Sequence, residues 1–196
     1  DICSIKDLKL TKKLTLTNLN LIDTPINNSA ISKIIKKSPY LNKLCIDARN
    51  ISARGFLSLK SAKNFYFLKI INADNLSDNA FKVLAENNSS LQALILEKAN
   101  ISDDSLKLLQ NINIKNIQLI NCPNITNKGL FYLKDLPLSL LILENLARIT
   151  DEGFYCFIGK TNLSLYVYNC AISNSALNLL TNSGINNIKQ RTLAIE

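Results

Sequence analysis

One short phrase recurs seven times along the chain, and its period constrains the fold more than any other feature. Each copy holds a β-branched residue or Leu, a Ser, Thr or Asn, one or two polar residues, a small residue and a large apolar one. It reads INNSAI at 26–31, ISARGF at 51–56, LSDNAF at 76–81 and ISDDSL at 101–106. It continues as ITNKGL at 125–130, ITDEGF at 149–154 and ISNSAL at 172–177. First positions are 25, 25, 25, 24, 24 and 23 residues apart. A period in this range means copies of one unit stacked in a row, because a single unit cannot bury its apolar face alone.

Upstream of each phrase lies L-x-x-L-x-L: Leu16/Leu19/Leu21, Leu41/Leu44/Ile46, Phe65/Leu68/Ile70 and Leu91/Leu94/Leu96. It continues as Ile114/Ile117/Leu119, Leu138/Leu141/Leu143 and, degraded at its first position, Asn162/Leu165/Val167. An eighth, incomplete copy starts at Ile185 and Ile188 and meets Gln190 where an apolar residue is expected. The L-x-L alternation has period two, so it predicts a short strand with its leucines inward. The Ser, Thr or Asn that follows suits a helix N-cap, and Asp103 and Asp151 complement the positive end of that helix.

The helices show apolar pairs three apart: Ile31/Ile34, Phe56/Leu59, Phe81/Leu84, Leu106/Leu109, Leu130/Leu133, Phe154/Phe157 and Leu177/Leu180. That spacing builds one buried face. Before each pair sits Ala30, Gly55, Ala80, Ser105, Gly129, Gly153 or Ala176, read as room for the helix to lie close on its own strand. The expected fold is α/β, a curved solenoid with a parallel sheet inside and helices outside. Residues 1–15 read as an N-terminal cap and 16–196 as the repeat domain, with seven full repeats and a partial eighth.

The stretches IQLINCPNITNKGL at 117–130 and LILENLARITDEGF at 141–154 resemble cysteine-containing leucine-rich repeats. That subtype is best known from F-box ubiquitin-ligase adaptors, and related repeats occur in bacterial effectors and some mitochondrial assembly factors. The resemblance covers roughly residues 14–193 and implies a horseshoe whose concave face binds a protein. The subtype's Cys position is filled by Cys only at Cys122 and Cys170; elsewhere it reads Thr24, Arg49, Ala73, Ala99 and Leu146. No F-box sequence is present, so ligase adaptor, secreted effector in a host cytosol and assembly subunit all stay open.

In such a horseshoe the outward strand residues tile the concave face. They read Asn18/Asn20/Ile22, Lys43/Cys45/Asp47, Phe67/Lys69/Ile71 and Ala93/Ile95/Glu97, then Asn116/Gln118/Ile120, Leu140/Ile142/Glu144, Ser164/Tyr166/Tyr168 and Asn187/Lys189/Arg191. Phe67, Lys69, Ile71, Ile95, Glu97, Ile120, Leu140, Ile142, Glu144, Tyr166 and Tyr168 are the candidate partner-binding residues. Their apolar members predict an exposed patch of the kind that marks an interaction surface. The alternative is that these residues support the strands or seat a flanking terminus, and partner binding is the favoured reading.

The chain carries 23 Lys and Arg against 15 Asp and Glu, a net charge of +8, which invites a nucleic-acid or membrane reading. A rival explanation is the wealth of Asn, Ile and Lys that AT-rich coding sequences produce. Lys33, Lys36, Lys37, Lys60, Lys63, Lys82, Lys107 and Lys134 fall on the helical side, and Lys6, Lys9, Lys12 and Lys13 in the cap region. On the concave face Lys43, Lys69, Lys189 and Arg191 are nearly balanced by Asp47, Glu97 and Glu144. A nucleic-acid groove would gather cations and stacking aromatics in one place, so we expect a protein partner, no nucleic acid and no membrane insertion.

Catalysis is not expected. The chain has no His to activate a nucleophile and five Gly with no phosphate-binding loop. No metal or cofactor site is read from it. Five scattered Cys without CxxC pairs fit a reducing, cytoplasmic setting. Cys45 faces the concave surface and could react, whereas Cys122 and Cys170 should be buried and inert. The start at Asp1 and the lack of Met read as a fragment or processed product, and the far end reads as an uncovered last strand.

Overall fold

The computed structural model describes residues 13–62, 65–185 and 187–191, with Arg191 described in its backbone alone. The expected cap over Ile2–Leu14, Cys3, Lys6, Lys9, Lys12 and Lys63 therefore lie, but for the last residues of that cap, outside the described residues. Strands β1 (Asn18–Leu21), β2 (Lys43–Asp47), β3 (Phe67–Ile71), β4 (Ala93–Glu97), β5 (Asn116–Ile120), β6 (Leu140–Glu144), β7 (Ser164–Tyr168) and β8 (Asn187–Arg191) form one sheet in chain order. Every pairing is parallel. Between them run helices α1 (Asn28–Lys37), α2 (Ala53–Phe56), α3 (Asp78–Asn87), α4 (Asp103–Leu108), α5 (Asn127–Leu133), α6 (Asp151–Phe154) and α7 (Asn174–Asn182). Three of them, α2, α4 and α6, tighten into 3₁₀ turns at Leu57–Ser61, Leu109–Asn111 and Tyr155–Phe157.

The strands form where the L-x-L alternation sits. Leu44, Ile46, Leu68, Ile70, Leu94, Leu96, Ile117, Leu119, Leu141, Leu143, Leu165 and Val167 are all fully buried on the helix side of the sheet. Burying each such side chain stabilises by about 1.5–3 kcal/mol before entropy is counted. Most of the helix pairs join the same core, from Ile31 to Phe154 and Phe157, while Ile34 is buried beside it. The pattern fails at its ends. Leu16 is exposed rather than inward, Leu177 is only partly buried, and Leu163 fills the slot for which Asn162 stood.

After most strands the chain turns through a left-handed residue: Asp23, Asn72, Lys98, Asn121, Asn145 and Asn169 have φ between 49° and 60°. Asn and Asp tolerate that conformation best among residues with a Cβ. Their side chains also link neighbouring repeats. The Asn145 amide donates to Asn121 Oδ1 at 3.0 Å, and the Asn169 amide to Asn145 Oδ1 at 2.6 Å. The next residue inward is the subtype's Cys position. The Cys122 thiol, fully buried, lies 3.5 Å from the Ile120 carbonyl and 3.9 Å from that of Leu96. Cys170 repeats the arrangement with Tyr168 and Leu143 but is only partly buried, less than its sequence position suggested. The second repeat departs further. Its turn has no left-handed residue, Ala48 is the buried one, and Arg49 swings out onto the Asp47 carboxylate.

The residues at the helix starts do more than complement their own dipoles. The Asp103 carboxylate reaches across to the next repeat and accepts the Thr126 N–H at 2.8 Å and the Thr126 hydroxyl at 2.6 Å. Asp78 holds Ser102 in this way, and Asp151 holds Ser173. Asn28 and Asn127 do the same for Ser52 and Thr150, accepting the N–H and donating to the hydroxyl. The acceptors in one helix thus anchor the N-cap of the next.

This bridge also corrects the reading of the three glycines among the small residues. A Cβ on Gly129 would run into Asp103 Oδ1, and one on Gly153 would lie 2.5 Å from Asn127 Oδ1. On Gly55 it would overlap Asn28 Oδ1. These glycines make room for the preceding repeat's bridging side chain, not for their own strand.

Candidate functional site

The strand register sets the outward side chains in three rows across the sheet. One runs Lys43, Phe67, Ala93, Asn116, Leu140 and Ser164. The middle row runs Cys45, Lys69, Ile95, Gln118, Ile142, Tyr166 and Lys189. The third places Glu97, Ile120, Glu144 and Tyr168 side by side, with Ile71 beside Asp47 at its start. Phe67, Lys69, Ile71, Ile95, Glu97, Ile120, Leu140, Ile142, Glu144, Tyr166 and Tyr168 therefore share one face.

Those apolar side chains are half-buried rather than exposed, because each is flanked in its row by the neighbouring strand's side chain. Tyr166 and Tyr168 stand with ring centroids 6.4 Å apart, and Lys189 Nζ lies 5.8 Å from the Tyr166 centroid. At the other end Lys43 Nζ sits 4.8 Å from the Phe67 ring. The C-terminal part of the face opens into a groove of about 740 Å³ lined by Glu144, Tyr168 and Lys189 with Asn145, Asn169, Ile188 and Gln190.

The sequence balance of charges on this face changes once contacts are known. Asp47 is nearly fully buried; burial alone would raise its carboxyl, but hydrogen bonds from Arg49 and Asn72 outweigh that and hold it below the ordinary value. It is neutralised by Arg49 and offers nothing to a partner. The salt bridges among the described residues are Arg49–Asp47, Lys82–Glu86 and Lys128–Asp104, so Glu97 and Glu144 take part in none. Cys45, expected to be accessible, is buried, and its thiol is pushed up by that burial despite the opposing pull of Lys43 and Lys69. Burial likewise pushes Cys122 and Cys156 to about 11, so neither is a thiolate at neutral pH.

Two features went unread in the sequence. The most exposed large apolar side chains are Tyr40 and Tyr66 on loops, with Phe131, Leu57, Leu179, Ile158 and Tyr155 on the helical side. Lys134 Nζ lies 3.8 Å from the Phe131 centroid, and Lys107 and Lys128 both approach Tyr132. A second residue spacing, Asn or Asp two positions after the last inner strand residue at Asp23, Asn72, Asn121, Asn145 and Asn169, signalled five of the six left-handed turns, Lys98 making the sixth. Among the described residues no group of three or more His, Cys, Asp or Glu is placed to hold a metal, and no helix is long and apolar enough to cross a membrane.

No family model and no curated protein matches the chain. Solved structures do. A chain of the TLR13–ssRNA13 complex is similar over 95% of this chain and 34% of its own, with a TM-score of 0.56 and 18% identity. A chain of the yeast Rad7–Elc1 complex is similar over 88% of this chain and 55% of its own, with a TM-score of 0.60 and 17% identity. This chain thus spans about a third and about half of those chains. At such identity the likeness is one of fold, and with the strand order and repeat period it gives a leucine-rich-repeat horseshoe.

Proposed function

We propose that this chain is a non-catalytic recruitment module that holds a protein partner on its concave face. The observation that carries the reading is the in-register row Ile95, Gln118, Ile142 and Tyr166, flanked by Leu140, Ile120 and Tyr168 on one continuous surface. Aromatic side chains with few rotatable bonds make efficient contact surface, and Tyr is favoured at interface hot spots. Phe67, Lys69, Ile71, Glu97 and Glu144 complete the proposed contact set. The reading also draws on the resemblance to cysteine-containing repeats, supported by the Cys122 and Cys170 contacts to the preceding repeat's carbonyls. A substrate-recruiting adaptor is the finer role it favours; a bacterial effector or an assembly subunit would use the same face. A cytoplasmic setting belongs to this reading as well.

A second reading is nucleic-acid binding, favoured by the +8 net charge and by the fold shared with a chain of the TLR13–ssRNA13 complex. Two measurements separate the two. Affinity capture from lysate would compare the wild type with Tyr166→Ala/Tyr168→Ala and Ile120→Asp variants of matched thermal stability. A protein retained by the wild type and lost by the variants supports the concave site. Retention of the same proteins by all three sinks it, and nuclease-sensitive capture would favour the second reading.

A further inference from the structure

The net charge of +8 is not spread along the chain. Residues 24–64 hold eight Lys and Arg against one acid, Asp47, whereas residues 65–196 hold eleven of each. An AT-rich coding sequence would raise Lys throughout, so composition does not explain this asymmetry. The fold gathers much of the excess on one edge of the first two repeats, where helices end and strands begin. Lys36 lies in the last turn of α1, Lys60 in the 3₁₀ turn that follows α2, and Lys43 opens β2. The Leu14 N–H donates to the Lys37 carbonyl at 2.6 Å, which sets Lys13 beside the same helix end. Lys13, Lys36, Lys43 and Lys60 are exposed and join no salt bridge among the described residues. Asp47 lies at the far end of β2 on Arg49, and Glu86, in the last turn of α3, pairs with Lys82. The first twelve residues lie outside the described ones and carry three Lys against two Asp, so they add no net negative charge.

The two most exposed aromatic side chains among the described residues stand on the same edge. Tyr40 is 63% exposed in the loop between α1 and β2, and Tyr66, just before β3, is 54% exposed. The N–H groups of Asn42, Tyr66 and Gln92 donate in turn to the carbonyls of Thr17, Asn42 and Tyr66 at 2.7–3.0 Å. Tyr66 therefore stands between two half-buried amide side chains. Lys43 Nζ, 4.8 Å from the Phe67 centroid, keeps its charge over that ring. A run of cations and rings open for stacking, the two features a single-strand site combines, coincide here.

We propose that this edge binds a single-stranded nucleic acid, with phosphates on Lys36, Lys43 and Lys60 and bases stacked on Tyr40 and Tyr66. Asn42 and Gln92 offer amides to the base edges. Unpaired bases are required, because a duplex keeps its base faces stacked inside. Anionic lipids and acidic peptides would meet the cations, but a chain with a flat base beside every phosphate also occupies the tyrosines. Attraction to the negative end of α1 accounts for Lys36 but not for Lys43 on its strand. The site goes beyond the concave-face reading and does not depend on it. Tyr166 and Tyr168 stand on β7, four strands from β3, so a protein partner and a nucleic acid need not compete.

The test is fluorescence anisotropy with a labelled oligouridine of about 15 nucleotides, titrated at several salt concentrations. The wild type is compared with Lys36→Gln/Lys43→Gln/Lys60→Gln, Tyr40→Ala/Tyr66→Ala and Tyr40→Phe/Tyr66→Phe. A control, Lys107→Gln/Lys134→Gln/Lys160→Gln, removes the same charge from later repeats. Circular dichroism and melting would verify that every variant folds. The first Lys triple should weaken binding by about tenfold or more and lower the slope of log K against log salt by about 2, since each single-strand phosphate contact contributes about 0.7. The Ala pair should weaken it by about fivefold or more at unchanged slope, and the Phe pair should restore it, because stacking uses the ring. The control should lose less than about threefold, the share left to long-range attraction. No binding by the wild type at low salt, or equal losses in both Lys triples, overturns the proposal. So does binding that is indifferent to both tyrosines. Phosphatidylserine vesicles or polyglutamate bound as tightly, with the same tyrosine dependence, would reassign the edge to a lipid surface or an acidic protein. Tyr166→Ala/Tyr168→Ala should leave the Kd unchanged; a loss there would move the nucleic acid to the concave face and remove this site. Failure of the edge leaves the concave-face reading standing, because that reading is judged on captured protein.

Discussion

The junction between the fourth and fifth repeats and the one between the second and third have the same core and different stitching. At the first, Asp103 grips both polar groups of Thr126, whose hydroxyl in turn accepts the Lys128 N–H and caps α5. Gly129 leaves the space that this grip needs. At the second, Ala53 occupies the position of Asp103 and has nothing to offer Ser77, which makes no side-chain cap bond to α3. The second repeat also lacks the left-handed turn and buries Ala48 in place of the usual residue. Inner strand residues are fully buried at both places. The comparison teaches that apolar burial builds each repeat, while polar bridges decide how firmly neighbours are held together.

Five experiments would sharpen or break that view. The largest effect belongs to the shared core: Leu44→Ala and Leu119→Ala should each cost about 2–5 kcal/mol in urea denaturation. Similar losses are expected, because both side chains are fully buried; a much smaller loss at Leu44 would mean the repeats differ in packing after all. Next, Gly129→Val should cost about 3 kcal/mol by overpacking, and Asp103→Ala in the same chain should recover part of it. Strict additivity of the two changes would contradict the overlap that assigns Gly129 its role.

Smaller effects follow from the bridge alone. Removing it by Asp103→Ala should cost about 1–2 kcal/mol, the range of a lost helix cap. Installing its counterpart by Ala53→Asp should add about 0.5–1 kcal/mol and raise hydrogen-exchange protection at the start of α3. No change in protection would argue that the second junction is held by something other than caps. The smallest effect is on pH dependence. Burial would raise the Asp78 carboxyl, but hydrogen bonds from Ser102 and Ser105 prevail and lower it. Its folded value therefore lies below its unfolded one, so its contribution is whole above the unfolded value and fades as pH falls through the folded one. Asp78→Asn keeps the geometry that Asn28 and Asn127 show and should flatten stability below about pH 4. An unchanged acid limb would mean that Asp78 does not carry it.

Which residues share the concave face was legible because the solenoid is nearly one-dimensional. A parallel register that advances one strand per repeat turns sequence spacing directly into neighbourhood, so the rows through Ile142 and Glu144 could be read off the period. What each side chain does there was not legible. Cys45 and Asp47 occupy outward positions and are nonetheless buried, and Arg49 cancels the Asp47 carboxylate, whereas Glu97 and Glu144 join no salt bridge among the described residues. Gly55, Gly129 and Gly153 were noticed for the right reason, close approach, but assigned to the wrong neighbour.

The sequence by itself determined the unit, its count and its direction of stacking, since hydrophobic period and cap chemistry are local properties that seven copies repeat. Only the tertiary structure decided which polar groups satisfy one another, because Asp103 and Thr126 are 23 residues apart and meet only when two repeats pack. It also decided which outward side chains stay accessible: Cys45 and Asp47 lie buried, and Arg49 cancels the Asp47 carboxylate. Net charge is a sum over residues, whereas a surface is made by where the fold leaves them unpaired.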